Sequence, residues 1–253
     1  MDPILIAIYT ITFLYGIVIG SFLNVCIYRI PKKENIVKIN SHCMSCNHRL
    51  RWYELIPLFS YVVQGGKCRN CKSKISIQYP LIEGLNGILY VLTFIINGVN
   101  VDSLLYCLLI SALITLSVID WRTYEIPIGI NIYILALGLI RTVLHYEDWL
   151  NHVIGFFAVS IFIYIIILAT KGRGMGGGDM KLMAVAGLFL GWKAIILAFL
   201  FGCIIGAICH VIRMKVTKAE HVLALGPYLS IGIFIAMFWG ESFLTWYLAT
   251  MGF

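Results

Sequence analysis

The chain is dominated by long apolar runs that would be out of place in a soluble protein. A membrane-spanning helix needs about 20 mostly apolar residues, and 60% of this sequence is hydrophobic while only 12% is charged. Because such runs recur along the whole chain, the sequence predicts an all-α, polytopic membrane protein. We predict about eight spans, near residues 4–28, 81–97, 102–119, 126–144, 150–170, 180–191, 193–212 and 222–240.

The position of the polar residues divides the chain into three regions. We expect residues 1–30 to form a first transmembrane span, residues 31–79 to form a polar insert, and residues 80–253 to form a transmembrane helix bundle. The first apolar run lacks a basic start and is longer than the core of a signal peptide, so we expect it to be retained.

The basic residues fall almost entirely on one side of these predicted spans. Four segments on that side carry 17 of the 19 Lys and Arg residues: 29–79, 120–125, 171–181 and 213–221. The positive-inside rule makes this side cytoplasmic. Arg141 and Lys193 are the exceptions and fall on the opposite side. Topology and anionic lipid headgroups account for the net charge of +7, so no nucleic-acid partner is needed.

Two aspartates lie where a membrane protein rarely places a charge by chance. Asp120 closes the apolar run 104–119, and Asp179 follows three glycines and opens the next apolar run. Both fall at the predicted cytoplasmic edge. Ionisable groups at membrane depth are costly and usually mark function. Two neighbouring carboxyls cannot both ionise easily, so one can act as a base while the other stays protonated as an acid. We predict that this pair is catalytic.

Each aspartate also has a plainer interpretation. Asp120 could pair with Arg122 in the headgroup layer, and Asp179 could simply cap a helix. Glu125 is a competing acid, but it falls in a turn where we expect it to face water. Residues 172–177 spell a dinucleotide-binding G-x-G-x-x-G, yet they follow a membrane helix rather than a strand, so that interpretation is rejected.

The glycines before Asp179 predict a loop that contacts substrate. Glycine lets the backbone bend sharply and approach a bound molecule closely. We therefore expect Gly176, Gly177, Gly178 and Lys181 to contribute to a substrate-binding loop.

The polar insert carries two C-x2-C pairs, Cys43 with Cys46 and Cys68 with Cys71, separated by 21 residues. Four thiolates on two tight turns suit tetrahedral Zn²⁺. The alternative is a pair of disulfides or redox motifs, which the cytoplasm disfavours. The zinc would be structural, because four cysteine ligands leave no open position for water. A short insert with little core also needs a metal or another cross-link to stabilise its fold.

Taken in order, several stretches make the chain resemble the bacterial type IV prepilin peptidases, which are aspartic peptidases of the GxGD class. A lone GxGD would be weak evidence, but the ordered set covers nearly the whole chain. The matching stretches are residues 20–25, 28–31, 43–46 with 68–71, 51–61, 79–83, 120–127, 176–182 and 225–228.

This resemblance implies a specific activity and place. Members of the family are multi-pass proteins of the bacterial inner (cytoplasmic) membrane. They cut the leader from prepilins and pseudopilins on the cytoplasmic side, just after a glycine. The resemblance assigns Asp120 and Asp179 as the catalytic pair. The partners it implies are these membrane substrates and the lipid bilayer.

Many members also methylate the new N-terminal residue with S-adenosylmethionine, and the cysteine insert accompanies the bifunctional ones. Asn24, Arg29 and Glu83 are our candidates for the methyltransferase site. They could equally be polar groups that tie the insert to the first spans.

Three rival functions remain at this point. A presenilin-like or signal-peptide-peptidase-like protease would share the aspartates but has no use for the cysteine insert. A proton- or cation-coupled transporter would place its acids near the bilayer midplane and show internal repeats, whereas these acids lie at the edge. Only an enzyme assay distinguishes a peptidase without methyltransferase activity from the bifunctional enzyme.

Overall fold

The computed structural model describes residues 3–38, 40–217 and 223–251, which fold into nine α-helices without a strand. The predicted all-α fold is thereby confirmed for these residues. The helices are α1 Pro3–Arg29, α2 Phe59–Val63, α3 Gln78–Asn97, α4 Val101–Thr123, α5 Ile128–Leu144, α6 Trp149–Ala169, α7 Gly177–Leu190, α8 Trp192–Thr217 and α9 Gly226–Met251, with 3₁₀ turns at Trp52–Glu54 and Tyr146–Asp148.

Each of the eight predicted spans corresponds to one helix, and α2 lies in the insert. Among the described helices, six are long and apolar enough to cross a membrane: α1, α3, α4, α6, α8 and α9. Helices α5 and α7 have 17 and 14 residues, fewer than the roughly 20 that a crossing requires. A multi-pass helical protein is confirmed, while eight crossings remain a prediction.

The helix boundaries differ from the predicted spans at functionally important places. Helix α4 continues to Thr123, so Asp120 lies inside a helix instead of just beyond one. Helix α7 begins at Gly177, which puts Asp179 in its first turn. The predicted last span began at residue 222, which lies outside the described residues, and α9 starts at Gly226.

The structure divides into two compact units, Met1–Thr115 and Leu116–Phe253, with the boundary inside α4. In the first unit α1 packs against α3 along glycines one helical turn apart. A Cβ atom on Gly16 would lie 2.6 Å from the Cα of Gly87, and one on Gly20 would lie 2.7 Å from the Cα of Glu83. Small residues at this spacing let membrane helices approach closely.

Buried polar side chains add hydrogen bonds within the first unit. Asn86, which is fully buried, donates to the carbonyl of Gly16 at 2.7 Å and accepts from the hydroxyl of Ser111 at 3.0 Å. The hydroxyl of Tyr90 lies 2.9 Å from that of Ser111. These bonds satisfy groups that would be costly if left unpaired in an apolar setting.

In the second unit, α7 is the most enclosed helix. All its residues from 182 to 189 are buried, and it packs against α5, α6, α8 and α9. Its contact with α6 is especially close, since a Cβ atom on Gly187 would lie 2.1 Å from the carbonyl oxygen of Gly155. Backbone therefore packs directly on backbone at this point, and no side chain fits between the two helices.

We expect Gly187→Ala to destabilise the protein by about 1–3 kcal/mol, because the added methyl group overpacks the contact between α6 and α7. The matched control is Gly240→Ala, since Gly240 is also buried but its Cβ atom would find its nearest neighbour at an ordinary 3.7 Å. Thermal unfolding in detergent measures both. Equal melting temperatures for the two variants would contradict the close contact.

Candidate active site

Asp120 lies near the end of α4, and its side chain is 4% exposed. One carboxyl oxygen, Oδ2, accepts the backbone N–H of Gly226 at 2.9 Å. Gly226 is the first residue of α9, so its N–H has no partner within the helix and is free to bond outside it. The N-terminal end of α9 thus offers Asp120 a donor and a partial positive charge.

Asp179 occupies the third position of α7, where it also caps the helix. Its Oδ2 accepts the N–H of Gly176, the N-cap residue, at 3.3 Å. The plainer interpretation of Asp179 as a capping residue is therefore partly right, although it caps from inside the helix. The bond is long and engages one carboxyl oxygen, and the side chain is half-buried, so the carboxyl also faces other groups.

Both aspartates line one cavity of about 320 Å³ within the second unit. Its walls come from the end of α4, the turn after it, the start of α5 and the glycine loop with the first turn of α7. The lining residues are Asp120, Tyr124, Glu125, Ile126, Ile128, Gly176, Gly177, Gly178, Asp179 and Lys181. The structure thus brings together the two predicted acids and all four predicted loop residues.

Asp179 precedes the apolar segment 180–191 and is electrostatically coupled to its neighbour. Burial and the negative charge of Asp120 raise the pKa of Asp179, the N–H of Gly176 lowers it, and the pKa that results is about 6. Asp179 therefore holds its proton at a pH where an ordinary aspartate has lost it. Such a shift beside a charged partner in a cavity is typical of acid–base sites.

Two glycines bring the backbone close to this pair. A Cβ atom on Gly226 would lie 2.7 Å from Oδ2 of Asp120, and one on Gly178 would lie 3.1 Å from the Cβ of Ile126. Gly177, by contrast, has open space where a side chain would point. Sequence reasoning placed Gly226 in the matching stretch 225–228 but gave it no role, because residue type does not show where a backbone N–H bonds.

Glu125 remains a weaker candidate than the two aspartates. It is exposed in the turn between α4 and α5, as expected, although it does line the cavity. Sequence reasoning did not assign Tyr124, Ile126 and Ile128 to the site, although Tyr124 and Ile126 belong to the matching stretch 120–127.

The second cluster lies in the insert, within the first unit. The sulfur atoms of Cys43, Cys46, Cys68 and Cys71 all lie within 4.8 Å of one another. The Cys43 and Cys71 sulfurs are 3.8 Å apart, and a tetrahedral zinc site with bonds of about 2.3 Å places its sulfurs ~3.8 Å apart. The cysteines are free thiols rather than disulfides. The donor set therefore fits one tetrahedral metal ion.

The two cysteine pairs form the same backbone turn twice. In each, the first cysteine donates its N–H to the carbonyl five residues later, and the residue four positions later has a positive φ. The bonds are Cys43 to His48 at 2.9 Å and Cys68 to Ser73 at 2.8 Å, and the positive φ angles are 55° at Asn47 and 62° at Lys72. This repeat aims both thiol pairs at a common point.

The surroundings of Cys43 favour the thiolate form that a metal binds, whereas the pKa of Cys68 is raised. Burial raises the pKa of Cys43, but the N–H groups of Ser45 and Cys46 and the hydroxyl of Ser73 outweigh it, so the pKa falls to about 6.

The three methyltransferase candidates lie in the first unit, and each makes a hydrogen bond to the backbone of another segment of the protein. Glu83, 6% exposed, accepts the N–H of Leu58 at 2.8 Å. Asn24 donates to the carbonyl of Tyr79 at 3.2 Å, and Arg29 donates to the carbonyl of Ile36 at 3.1 Å. These bonds tie the insert to α1 and α3. Among the described residues, none of these three has a buried side-chain polar atom without a hydrogen-bond partner.

Comparison with known proteins identifies the family. Residues 14–96 match the bacterial peptidase A24 N-terminal domain, and residues 107–211 match the type IV leader peptidase family. A prepilin leader peptidase/N-methyltransferase of Pseudomonas aeruginosa is 33% identical over 274 residues, covering 96% of this chain and 94% of the relative. The chain belongs to the type IV leader peptidase family. The resemblance inferred from the ordered motifs is confirmed.

Further members of the type IV leader peptidase family are similarly close. Prepilin leader peptidases/N-methyltransferases of Aeromonas salmonicida and Bacillus subtilis are 32% and 33% identical, over 96% and 94% of this chain and 94% and 97% of the relatives. No solved structure matches the chain.

The matched ranges separate the two clusters described above. The aspartate cavity lies within the leader peptidase range, whereas the cysteines and Glu83 lie within the N-terminal range. Gly226 lies beyond both ranges, within the stretch 225–228 that contributed to the resemblance, and the structure adds that its N–H bonds to Asp120.

Proposed function

We propose that this protein is a membrane aspartic endopeptidase that removes the leader of type IV prepilins and pseudopilins after a glycine and then methylates the new N-terminal residue. The observation that carries the proposal is the pair of coupled carboxyls, Asp120 and Asp179, on one cavity inside the range that matches the leader peptidase family. The names of the relatives support both activities.

The two carboxyls have different surroundings, which suggests different roles. The N–H of Gly226 at 2.9 Å stabilises a charged Asp120, while Asp179, with its longer bond and raised pKa, keeps a proton. Asp120 then takes a proton from the attacking water, and Asp179 donates a hydrogen bond or proton to the scissile carbonyl. The two groups share one proton, so their titration belongs to the pair.

The glycine loop supplies the contact with substrate. A prepilin is itself a membrane helix, and its scissile amide is shielded by helical hydrogen bonds until the segment unwinds. Gly176 and Gly177 are exposed on the cavity, so their backbone can bond to an extended peptide without a side chain in the way. Lys181 is also exposed on the cavity wall and offers a charge to the unwound segment.

We place the protein in the bacterial inner membrane with this cavity on the cytoplasmic side. The six membrane-length helices and the bacterial relatives support a multi-pass protein. The side follows from the basic segments, because the loops that flank Asp120 and Asp179 belong to the half of the topology that holds 17 of 19 Lys and Arg residues. In this topology α5 and α7 complete eight crossings.

The four cysteines are proposed to hold one structural Zn²⁺. Their sulfur spacing fits the ion, and the insert has few buried apolar residues of its own. With all four positions taken by sulfur, the metal leaves no site for water and supplies folding energy rather than chemistry.

We assign methyl transfer to the first third of the chain, which matches the separate N-terminal domain. S-adenosylmethionine supplies the methyl group. Glu83, Asn24 and Arg29 hold the insert against α1 and α3, and in this proposal they shape the methyltransferase site through that anchoring.

Neither alternative function is favoured over this proposal. The relatives that cover almost the whole chain are named as peptidases with methyltransferase activity, which favours neither a transporter nor a peptidase without methyl transfer.

Asp120→Asn and Asp179→Asn should each reduce prepilin cleavage by ~10²-fold or more while leaving a folded, inserted protein, because each removes a proton-transfer group. Cleavage of a purified prepilin is measured by the shift of the processed band. Asp148→Asn, an exposed acid outside the cavity, is the control. Full activity in either cavity variant would remove that aspartate from the mechanism.

Gly226→Ala should also reduce cleavage strongly, since its methyl group would lie 2.7 Å from Oδ2 of Asp120 and must displace the carboxyl. Gly129→Ala is the control, since Gly129 lies in the first turn of α5, is not among the cavity-lining residues, and a Cβ atom there would meet open space. The kcat of both variants is compared with that of the wild type. The role of Gly226 would be refuted if both alanines lowered kcat equally.

Metal analysis should find about one Zn²⁺ per chain, bound by the four cysteines. Cys46→Ser or Cys68→Ser should lower the metal content and make the insert protease-sensitive. Cys26→Ser, in α1, is the control and should retain the metal. An ordered insert in metal-free protein would contradict the zinc proposal.

The two activities should separate by mutation. Glu83→Ala should depress methylation more than cleavage, because it frees Leu58 from α3, while Glu83→Gln keeps an acceptor and should retain more activity. Asp179→Asn should spare methylation of an already processed pilin. Labelled S-adenosylmethionine and band shifts score the two reactions independently. Parallel loss of both activities in Glu83→Ala and in Asp179→Asn would show that the sites are not separable.

A further inference from the structure

The far end of α7 is held by side chains from two neighbouring helices. Arg141 of α5 donates through Nη1 to the carbonyl of Phe189, and its guanidinium lies 5.1 Å from the centre of the Phe189 ring. His152 of α6, 4% exposed, lies with Nδ1 2.8 Å from the carbonyl oxygen of Leu188. Because a carbonyl only accepts, Nδ1 carries the proton in this bond.

These carbonyls belong to the last turn of α7, where a helix leaves its C=O groups without internal partners. That end of a helix also carries partial negative charge, which a cation such as the guanidinium of Arg141 stabilises. Arg141 is one of the two basic residues that the charge pattern places on the side opposite the aspartates. The bond from Arg141 to a backbone carbonyl of α7 gives a reason for a cation on that side.

The connection after α7 is fixed as well. Gly191 ends the helix with a φ of 86°, and Asn151 of α6 accepts the N–H of Trp192 at 3.2 Å. A side chain at Gly191 would lie 2.7 Å from Nδ2 of Asn151. The exit from α7 therefore has little freedom to slide along the helix axis.

Among the described residues, no side chain of a neighbouring helix makes a comparable hydrogen bond to the first turn of α7. Helix α7 is preceded by a segment with glycine at 172, 174 and 176, and the helix itself opens with Gly177 and Gly178. A glycine-rich connection is conformationally permissive and does not by itself set the depth of the helix it enters. The side-chain hydrogen bonds from neighbouring helices to α7 backbone are thus concentrated in its last turn, next to the close Gly155–Gly187 contact.

We propose that Arg141 and His152 are positioning residues for the peptidase: by holding the last carbonyls of α7 they set the depth of that helix, and so the position of Asp179 opposite Asp120. The inference rests on the proposed function, since it assigns Asp179 to catalysis. A helix of 14 residues is about 21 Å long, and its continuous backbone hydrogen bonds link the last turn to the first. A shift at its C-terminal end is therefore passed to the carboxyl in its first turn.

The test compares Arg141→Met, Arg141→Lys and His152→Leu in the full-length enzyme, with Lys193→Met as the control. Lys193 is the other basic residue on that side, and its ammonium lies 5.7 Å from the ring centre of Trp192, away from the α7 carbonyls. A misplacement of about 1 Å can cost ~10²-fold in rate. We expect Arg141→Met and His152→Leu to lower kcat by about tenfold to a hundredfold with KM nearly unchanged.

Two further readouts separate positioning from general damage. Arg141→Lys keeps a cationic donor and should recover part of the lost kcat. Methylation of a processed pilin should stay at the wild-type level in all variants, because its site lies in the other compact unit. Hydrogen exchange measured by mass spectrometry should rise in residues 177–190 of Arg141→Met and stay unchanged in Lys193→Met.

Each contrary result has a distinct meaning. Wild-type kcat in both Arg141→Met and His152→Leu would overturn the positioning proposal while leaving the proposed peptidase intact. Equal loss of cleavage and methylation would also overturn it, by showing a merely structural role. If the wild-type protein cleaves no prepilin, the proposed function fails. In that case, unchanged hydrogen exchange of residues 177–190 in Arg141→Met would show separately that Arg141 does not hold α7.

Discussion

The second compact unit is organised around the interaction between two carboxyls that share one cavity. Bringing Asp120 and Asp179 together in a poorly solvated place costs free energy, since each disfavours the charge of the other. The surrounding helices offset this cost with backbone donors, namely the N–H groups of Gly226 and Gly176. They also prevent the pair from moving apart, because α7 is enclosed by four other helices.

In the first unit, a polar insert is held between two membrane-length helices, α1 and α3. Glycines 16 and 20 bring α1 and α3 into backbone contact, and Glu83 reaches from α3 to the N–H of Leu58. The four cysteines converge because two identical turns present them. Anchoring at the helices and convergence of the thiols together give the insert the order that its small core cannot provide.

The sequence was most informative where function depends on residue type. Asp120, Asp179 and the four cysteines were found because carboxyls at a membrane edge and paired thiols are rare without a reason. The eight apolar runs predicted the helices well, although an apolar run does not show that α4 continues past Asp120. Hydrophobicity identifies the apolar, membrane-length part of a helix, whereas its last turn depends on local hydrogen bonds and caps.

Sequence reasoning missed the groups that act through tertiary contacts. Gly226 contributes a backbone N–H, and Arg141 and His152 act on carbonyls that lie 48 and 36 residues away along the chain. Nothing in residue type or spacing marks such partners. Arg141 did carry one signal, as an isolated cation on the side with few basic residues, and that signal acquires a meaning once the end of α7 is seen beside it.

The coupling between the two aspartates can be measured directly by infrared spectroscopy of protonated carboxyl groups during a pH titration. Asp179 should titrate near pH 6 in the wild type. In Asp120→Asn the neighbouring negative charge is gone, which favours the charged form of Asp179, so its titration should move to lower pH. An Asp179 signal that titrates at the same pH in both proteins would show that the carboxyls are not coupled, and would contradict the account of the site.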